Sequence, residues 1–231
     1  MIKPVKVDAC LYLMRHGCTA LDAEHRSDGW LDMSLSPEGQ LSVIPAQQYL
    51  KAIPLYSIYA PTLKRTMETA EIIASSNLGN PDIEKSDKAK TWNLGTLAGT
   101  RKDYGRPAVM RLVANPNKVP LGGESYNTFT KRFLPWFKAR LAEALENDDP
   151  CLIVFSGSNL RCAGKYLFDD EDCLDMDEGG LAVLRHSGGS WHDEILLGGK
   201  GDEGHVDSDY SEAQEGAVKV LDRALNGYKS G

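Results

Sequence analysis

Two polar segments follow directly on apolar runs and carry side chains that can hold or attack an anionic group. Arg15-His16-Gly17 ends the apolar run 11–14, and Ser156-Gly157 ends the run Cys151–Phe155. A neutral imidazole nitrogen can attack phosphorus, and the planar fork of arginine can hold phosphoryl oxygens. Such chemistry requires that the fold bring distant segments together, so the elements that carry them come next.

The sequence alternates short apolar runs with helical patterns. The predicted strands are residues 8–14, 56–59, Cys151–Phe155 and the two arms of a hairpin, 181–184 and 191–196. The predicted helices are one that begins at Ser36-Pro37-Glu38, followed by 61–76, 124–147, 158–168 and 211–228. This alternation predicts an α/β fold, a three-layer sandwich with a mostly parallel central sheet and helices on both faces. Ligands of such sheets collect at the carboxyl ends of the strands, where both polar segments are expected to lie.

A long loop, two prolines within helices and one irregular segment modify this predicted order of strands and helices. The polar stretch 15–35 predicts a long loop, and Pro45 and Pro135 are expected to kink or shorten the helices that contain them. Residues 100–122 carry Gly, Pro and Asn without a clear period, which predicts a small insertion or lid. We expect a single domain over residues 1–231, with this lid inserted in it.

Composition narrows the function classes. The net charge of −7 and the pI of about 5.3 argue against a general nucleic-acid-binding protein, which needs a basic face. A pair of arginines can still attract an anion locally. No apolar run is long enough to span a membrane, and the first ten residues lack the apolar core of a signal peptide. The five cysteines include no CxxC pair, so we expect reduced thiols and a cytoplasmic protein.

The first polar segment and its surroundings resemble the histidine phosphatase (phosphoglycerate-mutase-like) superfamily over about residues 8–200. The segments that carry the resemblance are Arg15-His16-Gly17 with Thr19, Arg26-x-x-Gly29-Trp30, Leu35-Ser36-Pro37-Glu38-Gly39, residues 59–70 with Arg65, the turn 95–99, and Gly122-Gly123-Glu124-Ser125.

The resemblance implies a role for several of these residues. His16 would be the nucleophile that carries the phosphoryl group, and Arg15 and Arg65 would clamp its oxygens. Thr19 and Arg26 would also contribute to phosphate binding. It implies neither a metal nor another cofactor, and a small phosphorylated substrate or ligand as the partner.

Three positions depart from the family pattern. The second histidine, expected after Cys151–Phe155, is Ser156, which could donate one hydrogen bond to phosphate but carries no charge. The usual glutamate acid falls on Thr91, which cannot protonate a leaving group near neutral pH. An asparagine near the phosphate falls on Asp22, which either is protonated by burial and serves as a substitute acid, or forms an ion pair with Arg26.

Other charged residues have more than one interpretation. His25 lies in the loop after the first strand and could reach the cleft or remain on the surface. His186 and His192 flank the predicted hairpin turn and lack a third ligand at metal-binding spacing, which favours a structural role. Arg101, Lys102 and Arg106 either meet a second anionic group of the substrate or form a solvated lid surface.

Two functions follow. The first is a metal-independent phosphohydrolase that works through a phosphohistidine at His16, on substrates whose leaving group needs little protonation. The alternative is a catalytically impaired or inactive relative that binds a phosphorylated ligand or a protein. Retention of His16 favours the first function, while Thr91 and Ser156 favour the second. The sequence leaves the substrate and the oligomeric state open.

Overall fold

A computed structural model describes residues 10–147 and 149–199 of the chain. Its centre is a six-stranded sheet in the order β3-β2-β4-β1-β5-β6. The strands are β1 (Cys10–Arg15), β2 (Ser57–Ala60), β3 (Asp82–Lys85), β4 (Cys151–Phe155), β5 (Met176–Ser187) and β6 (Ser190–Gly199). The pairings among β3, β2, β4 and β1 are parallel, and β5 and β6 add antiparallel to the β1 edge. The sheet is therefore mixed, and the prediction of an α/β fold is confirmed.

Helices cover both faces of the sheet and complete the three layers. They are α1 (Ala20–Ala23), α2 (Pro37–Leu50), α3 (Lys64–Ala74), α4 (Lys102–Ala114), α5 (Tyr126–Glu146) and α6 (Gly157–Phe168). Successive side chains of β1 point to opposite faces: Leu11 and Leu13 pack with α5 and α6, and Tyr12 and Met14 pack with α2 and α3. Two apolar cores thus fix the position and register of β1.

Most predicted elements are confirmed, with longer hairpin arms than expected. The Gly188-Gly189 turn that joins β5 to β6 has positive φ at both residues, as a two-residue hairpin loop requires. Neither Pro45 nor Pro135 ends its helix, because α2 continues to Leu50 and α5 runs through 21 residues. Burial of Val43, Ala46 and Leu50 offsets the backbone hydrogen bond that Pro45 removes from α2. The predicted helix 211–228 lies outside the described residues.

Residues 100–122, which the sequence predicts to be an insertion or lid, contain regular structure. Most of the segment forms α4, in which Leu112 is buried and Val109 and Val113 pack against the apolar core. Gly105 and Pro107 lie within this helix and conceal its period from sequence analysis. The loop 15–35 likewise contains the short helix α1. The predicted lid role of the segment stays a prediction.

Candidate active site

His16 and Ser156 lie side by side at the carboxyl edge of the sheet. Strands β1 and β4 are parallel neighbours, and Arg15 lies opposite Phe155. The backbone N–H of His16 donates to the carbonyl of Phe155 at 2.9 Å, so the pairing continues to the start of the site. The surrounding cleft is lined by residues that include Arg15, His16, Asp22, Asp28, Arg65, Thr91, Lys102 and Ser156.

His16 is held as a neutral imidazole. Its Nδ1 lies 2.9 Å from the Gly17 carbonyl, and its Nε2 lies 3.2 Å from Nε of Arg65. Because an arginine Nε–H only donates, Nε2 must be the unprotonated nitrogen and Nδ1 carries the proton. Burial of the ring, together with the charge of Arg65, lowers the pKa of His16 to about 3. At neutral pH the ring therefore presents a lone pair on Nε2, which nucleophilic attack requires.

Arg65, on α3, is fully buried and lines the cleft. Its two Nη atoms donate to the carbonyls of Leu31 (2.9 Å) and Gly29 (2.8 Å), while Nε donates to His16. One guanidinium thus connects α3, the loop after β1 and the imidazole. The sequence-predicted convergence of Arg65 and His16 is present in the structure.

Arg15 lies on the other side of His16 and is already paired with β5. One Nη donates to the Met176 carbonyl at 2.6 Å, and the other forms an ion pair with Glu178. Nε of Arg15 is buried without a hydrogen-bond partner in the described part of the chain. A phosphate that binds at Arg15 would therefore have to accept a hydrogen bond from this Nε or compete with Glu178 for the Nη atom.

Lys102, at the start of α4, adds a further cation to the cleft. Its Nζ lies 3.1 Å from Oδ1 of Asp22 and 3.7 Å from Glu178. Arg101 instead forms an exposed ion pair with Asp103. Of the lid cations considered in the sequence, Lys102 is thus placed in the cleft and Arg101 is on the surface.

Asp22 forms an ion pair with Lys102 rather than with Arg26. Burial favours the protonated acid, but the interaction with His16 and the charges of Lys102 and Arg15 outweigh it and hold the pKa of Asp22 well below its usual range. Because His16 is itself neutral near pH 7, the ion pair with Lys102 is the contact that keeps Asp22 ionised there. An ionised carboxylate has no proton to donate, which argues against Asp22 as the substitute acid. The ion-pair alternative is the one that the geometry favours.

Thr19 and Arg26 lie behind the cleft rather than on its lining. The fully buried Thr19 caps α1, and its hydroxyl lies 3.1 Å from Oδ2 of Asp22 and 2.9 Å from Oδ1 of Asp28. Arg26 donates to Glu24 and to the carbonyl of Gly99, which joins the loop after β1 to the turn before α4. Their predicted phosphate contacts would have to be indirect, through the loop that they position.

Asp28 is the cleft residue that sequence analysis missed. Its Oδ2 lies 3.8 Å from Nε of Arg65, and its side chain is only 6% exposed. Burial raises the pKa of Asp28 to about 6, against the opposing effect of Arg65. Asp28 occupies a variable position between Arg26 and Gly29 in the family motif, so no sequence signal marks it.

The other histidines among the described residues lie away from the cleft lining. His25 is exposed and has a left-handed backbone with φ of 55°. His186 and His192 lie on the β5–β6 hairpin, where the ring of His186 contacts Trp191. Within the described residues, the one cluster with metal-binding spacing is His16, Asp22 and Asp28, whose ligand atoms lie within 4.8 Å of one another.

The family assignment is decided by comparison with known proteins. A model of the histidine phosphatase superfamily (branch 1) matches residues 11–195. The chain belongs to this superfamily. Its 2,3-bisphosphoglycerate-dependent phosphoglycerate mutase relative from Cytophaga hutchinsonii is 26% identical over 174 residues, which cover 72% of this chain and 82% of that protein.

Solved structures share the histidine phosphatase fold. The crystal structure of a phosphoglycerate mutase from Bacillus anthracis superposes with a TM-score of 0.70 at 20% identity, covering 83% of this chain and 93% of that one. A mycobacterial glucosyl-3-phosphoglycerate phosphatase superposes with a TM-score of 0.66 at 20% identity, covering 83% and 99%. Proteins with this fold thus include a mutase and a phosphatase.

Thr91 and Ser156, the positions at which the family's acid and second histidine are expected from the sequence, both line the cleft. Thr91 is buried, and its carbonyl accepts hydrogen bonds from Trp30 Nε1 and from Arg132. Ser156 precedes α6, and its Oγ is buried without a hydrogen-bond partner in the described part of the chain. A buried hydroxyl without a partner is a group to which a bound ligand could supply a hydrogen bond.

The Ser156→His substitution is expected to raise kcat on an aryl phosphate by about 10²- to 10³-fold, because an imidazole, unlike the serine hydroxyl, can bring a positively charged hydrogen-bond donor to the phosphoryl oxygens in the transition state. Steady-state kinetics of both proteins measure the change. Ser158→His, two residues further along the same cleft, is the matched control and should give no gain. An unchanged rate for Ser156→His would show that position 156 does not replace the second histidine.

Proposed function

We propose that this protein is a phosphohydrolase that removes a phosphoryl group from a small phosphorylated substrate through a phosphohistidine at His16. The observation that carries the proposal is the neutral, buried imidazole whose unprotonated Nε2 faces the arginine-lined cleft. Structural histidines do not need this combination of tautomer, burial and neighbouring cations.

The reaction has two steps. In the first, the Nε2–P bond forms as the bond from phosphorus to the leaving oxygen breaks, and that oxygen takes up a proton. In the second, water attacks phosphorus, the Nε2–P bond breaks, and inorganic phosphate is released. Arg65 can transfer its Nε–H hydrogen bond from the lone pair of His16 to a phosphoryl oxygen as attack proceeds, so the same group positions the nucleophile and stabilises charge.

The charge of the cleft favours a small substrate. Among the described residues, the charges of Arg15, Arg65 and Lys102 are offset by Asp22, by Glu178 and, when it is ionised, by Asp28, so this part of the site lacks the large excess of positive charge that a polyanion such as a nucleic acid would need. No helix in the described ranges is long and apolar enough to cross a membrane. We therefore propose a small phosphate ester or anhydride as the substrate.

A second candidate function is a phosphate-ligand or protein binding module. The observation that favours it is the pairing of Arg15 with Glu178 and Met176, which occupies a predicted phosphate clamp. The replacements Thr91 and Ser156 point the same way. A binding module would hold a ligand near His16 without forming a covalent intermediate.

Trapping of the covalent intermediate tests the proposal. The protein, incubated with radiolabelled acetyl phosphate and quenched with alkali, is expected to carry base-stable, acid-labile phosphate on the peptide that contains His16. His25→Asn is the matched control, since asparagine tolerates the left-handed backbone at that position, and it should retain the label. A protein with neither label nor turnover of para-nitrophenyl phosphate, but with bound phosphate, would support the binding module.

A further inference from the structure

Two carboxyl groups from the same loop converge beside His16 but have opposite surroundings. One oxygen of Asp22, one of Asp28 and one nitrogen of His16 all lie within 4.8 Å of one another, and all three side chains are buried. Two carboxylates this close, and shielded from water, do not both ionise easily. The groups around each of them decide which one keeps a proton.

Asp22 has the stronger cationic partner. The ammonium of Lys102 lies 3.1 Å from its Oδ1, and Arg15 is also close enough to stabilise its negative charge. Within residues 10–147 and 149–199, Asp28 has no ion pair of comparable length, and its ion-pair partner is Nε of Arg65 at 3.8 Å. That guanidinium is already committed to His16 and to two backbone carbonyls.

We propose that Asp28 is a catalytic residue of this site, the general acid that protonates the leaving oxygen in place of the acid that the family has at the position of Thr91. The inference rests on the proposed phosphohydrolase function and extends it to substrates with poor leaving groups. Asp28 and Thr91 line the same cleft, so the leaving oxygen can be reached from the loop after β1 instead of from the segment before the turn 95–99.

The proton balance of this step is complete. In phosphohistidine formation, the carboxyl proton of Asp28 moves to the leaving oxygen as its bond to phosphorus breaks, and Asp28 becomes a carboxylate. In hydrolysis, that carboxylate accepts a proton from the attacking water, which returns Asp28 to its starting state. One residue thus acts as acid and then as base, as microscopic reversibility requires.

The charged groups that face Asp28 explain why it is suited to be the general acid. Burial and the charge of Asp22 raise the pKa of Asp28, while Arg65 and the Thr19 hydroxyl lower it, and the result is about 6. An acid with a pKa near the working pH combines a sufficient protonated fraction with a useful driving force for transfer. Carboxyl pairs whose surroundings separate their pKa values are typical of acid and base assignments in enzymes.

The same three residues have metal-binding spacing, but their surroundings favour the proton. Nε of Arg65 lies 3.2 Å from His16 and 3.8 Å from Asp28, so a guanidinium already occupies the side of the cluster that a cation would share. Lys102 neutralises Asp22 from the other side. A divalent ion would have to bind close to these two protein cations, which repel it. A proton held by the carboxyl pair does not have to occupy a separate site near them.

Leaving-group dependence tests the proposal. Asp28→Asn is expected to lower kcat/KM by about 10²-fold or more for an alkyl phosphate such as glycerol phosphate, because alkoxide needs the proton. For para-nitrophenyl phosphate, whose leaving group is a weak base, kcat/KM should fall by less than about threefold. Asp28→Glu should restore part of the alkyl-to-aryl rate ratio, and Asp82→Asn, an exposed substitution on β3, should leave both rates unchanged.

The pH profile provides a second readout. Since the acid must be protonated, kcat/KM of the wild-type protein on the alkyl phosphate should fall as pH rises through about 6, and Asp28→Asn should lose this dependence. Titration of the substrate is common to both proteins, so the difference between their profiles isolates Asp28. Thermal melting of each variant shows whether it is folded.

The possible results distinguish a failure of the acid role of Asp28 from a failure of the proposed phosphohydrolase function. Equal losses on the alkyl and aryl substrates, unchanged alkyl turnover in Asp28→Asn, or a wild-type protein that hydrolyses only the aryl phosphate would each overturn the acid role and leave the phosphohistidine intact. A wild-type protein that forms no phosphohistidine and turns over neither substrate would overturn both.

Discussion

The His16→Ala variant is expected to lose turnover of para-nitrophenyl phosphate by about 10⁵-fold or more, the scale seen when a nucleophile is removed from an enzyme that forms a covalent intermediate. The structure gives a specific reason. Of the other groups that line the cleft, Asp22 is an ion-paired carboxylate, Asp28 is the proposed acid, and Thr91 and Ser156 are neutral hydroxyls, so none of these four replaces the lone pair on Nε2.

Phosphate binding should be far less affected than turnover by His16→Ala. Arg65 keeps its bonds to the carbonyls of Gly29 and Leu31 without the imidazole, so the cleft retains its shape. We expect the dissociation constant for inorganic phosphate, measured by calorimetry, to change by less than about tenfold. His186→Ala, on the hairpin, is the control for general effects of losing an imidazole. Residual turnover within a hundredfold of wild type would rule out His16 as the nucleophile.

The parts of the site that follow from strand order were predictable from sequence. His16 and Ser156 each follow an apolar run, and the carboxyl ends of parallel strands share an edge. Their placement next to each other depends on β1 and β4 being neighbours. Arg65 has no such local signal, since it lies inside a helix, and only resemblance to the family identified it.

Contacts between distant loops were not predictable in the same way. Lys102 reaches Asp22 because the backbone N–H of Lys102 donates to the carbonyl of His25, and Ser27 pairs with Thr100. These hydrogen bonds join segments about seventy residues apart in the chain, and neither segment has a period that reveals the pairing. The position of Glu178 beside Arg15 likewise depends on where β5 adds to the sheet.

The pairing of Arg15 with Glu178 connects the two candidate functions. A phosphate has to compete with the carboxylate for the Nη atoms or use the unpartnered Nε. Charge-assisted hydrogen bonds of arginine are strong in a buried site, so this competition weakens ground-state binding. Weak ground-state binding is compatible with catalysis if the planar transition state, whose charge is spread over three equatorial oxygens, displaces the carboxylate more effectively than the substrate does.

The largest combined effect on structure and activity is expected for Arg65→Lys. Lysine keeps the positive charge, but its single ammonium cannot reach Gly29, Leu31 and His16 in the directions that the planar fork provides. The buried carbonyl of Gly29 and the partly buried carbonyl of Leu31 would lose their donors, at a cost of up to about 1–3 kcal/mol each. We therefore expect the free energy of unfolding to fall by about 2–5 kcal/mol and kcat/KM on para-nitrophenyl phosphate to fall by about 10³-fold, the upper range for loss of a transition-state donor.

Urea denaturation and steady-state kinetics separate the two effects of Arg65→Lys. Arg185→Lys, on the half-exposed surface of β5, is the matched control and should change stability by less than about 0.5 kcal/mol. A ligand that binds only the folded state recovers stability by mass action, so phosphate should stabilise the wild-type protein more than Arg65→Lys. The contrary result is that phosphate raises the free energy of unfolding of both proteins equally, with similar kcat/KM values for the two. That result would show that the guanidinium at position 65 has only a structural role, which is to hold the loop after β1.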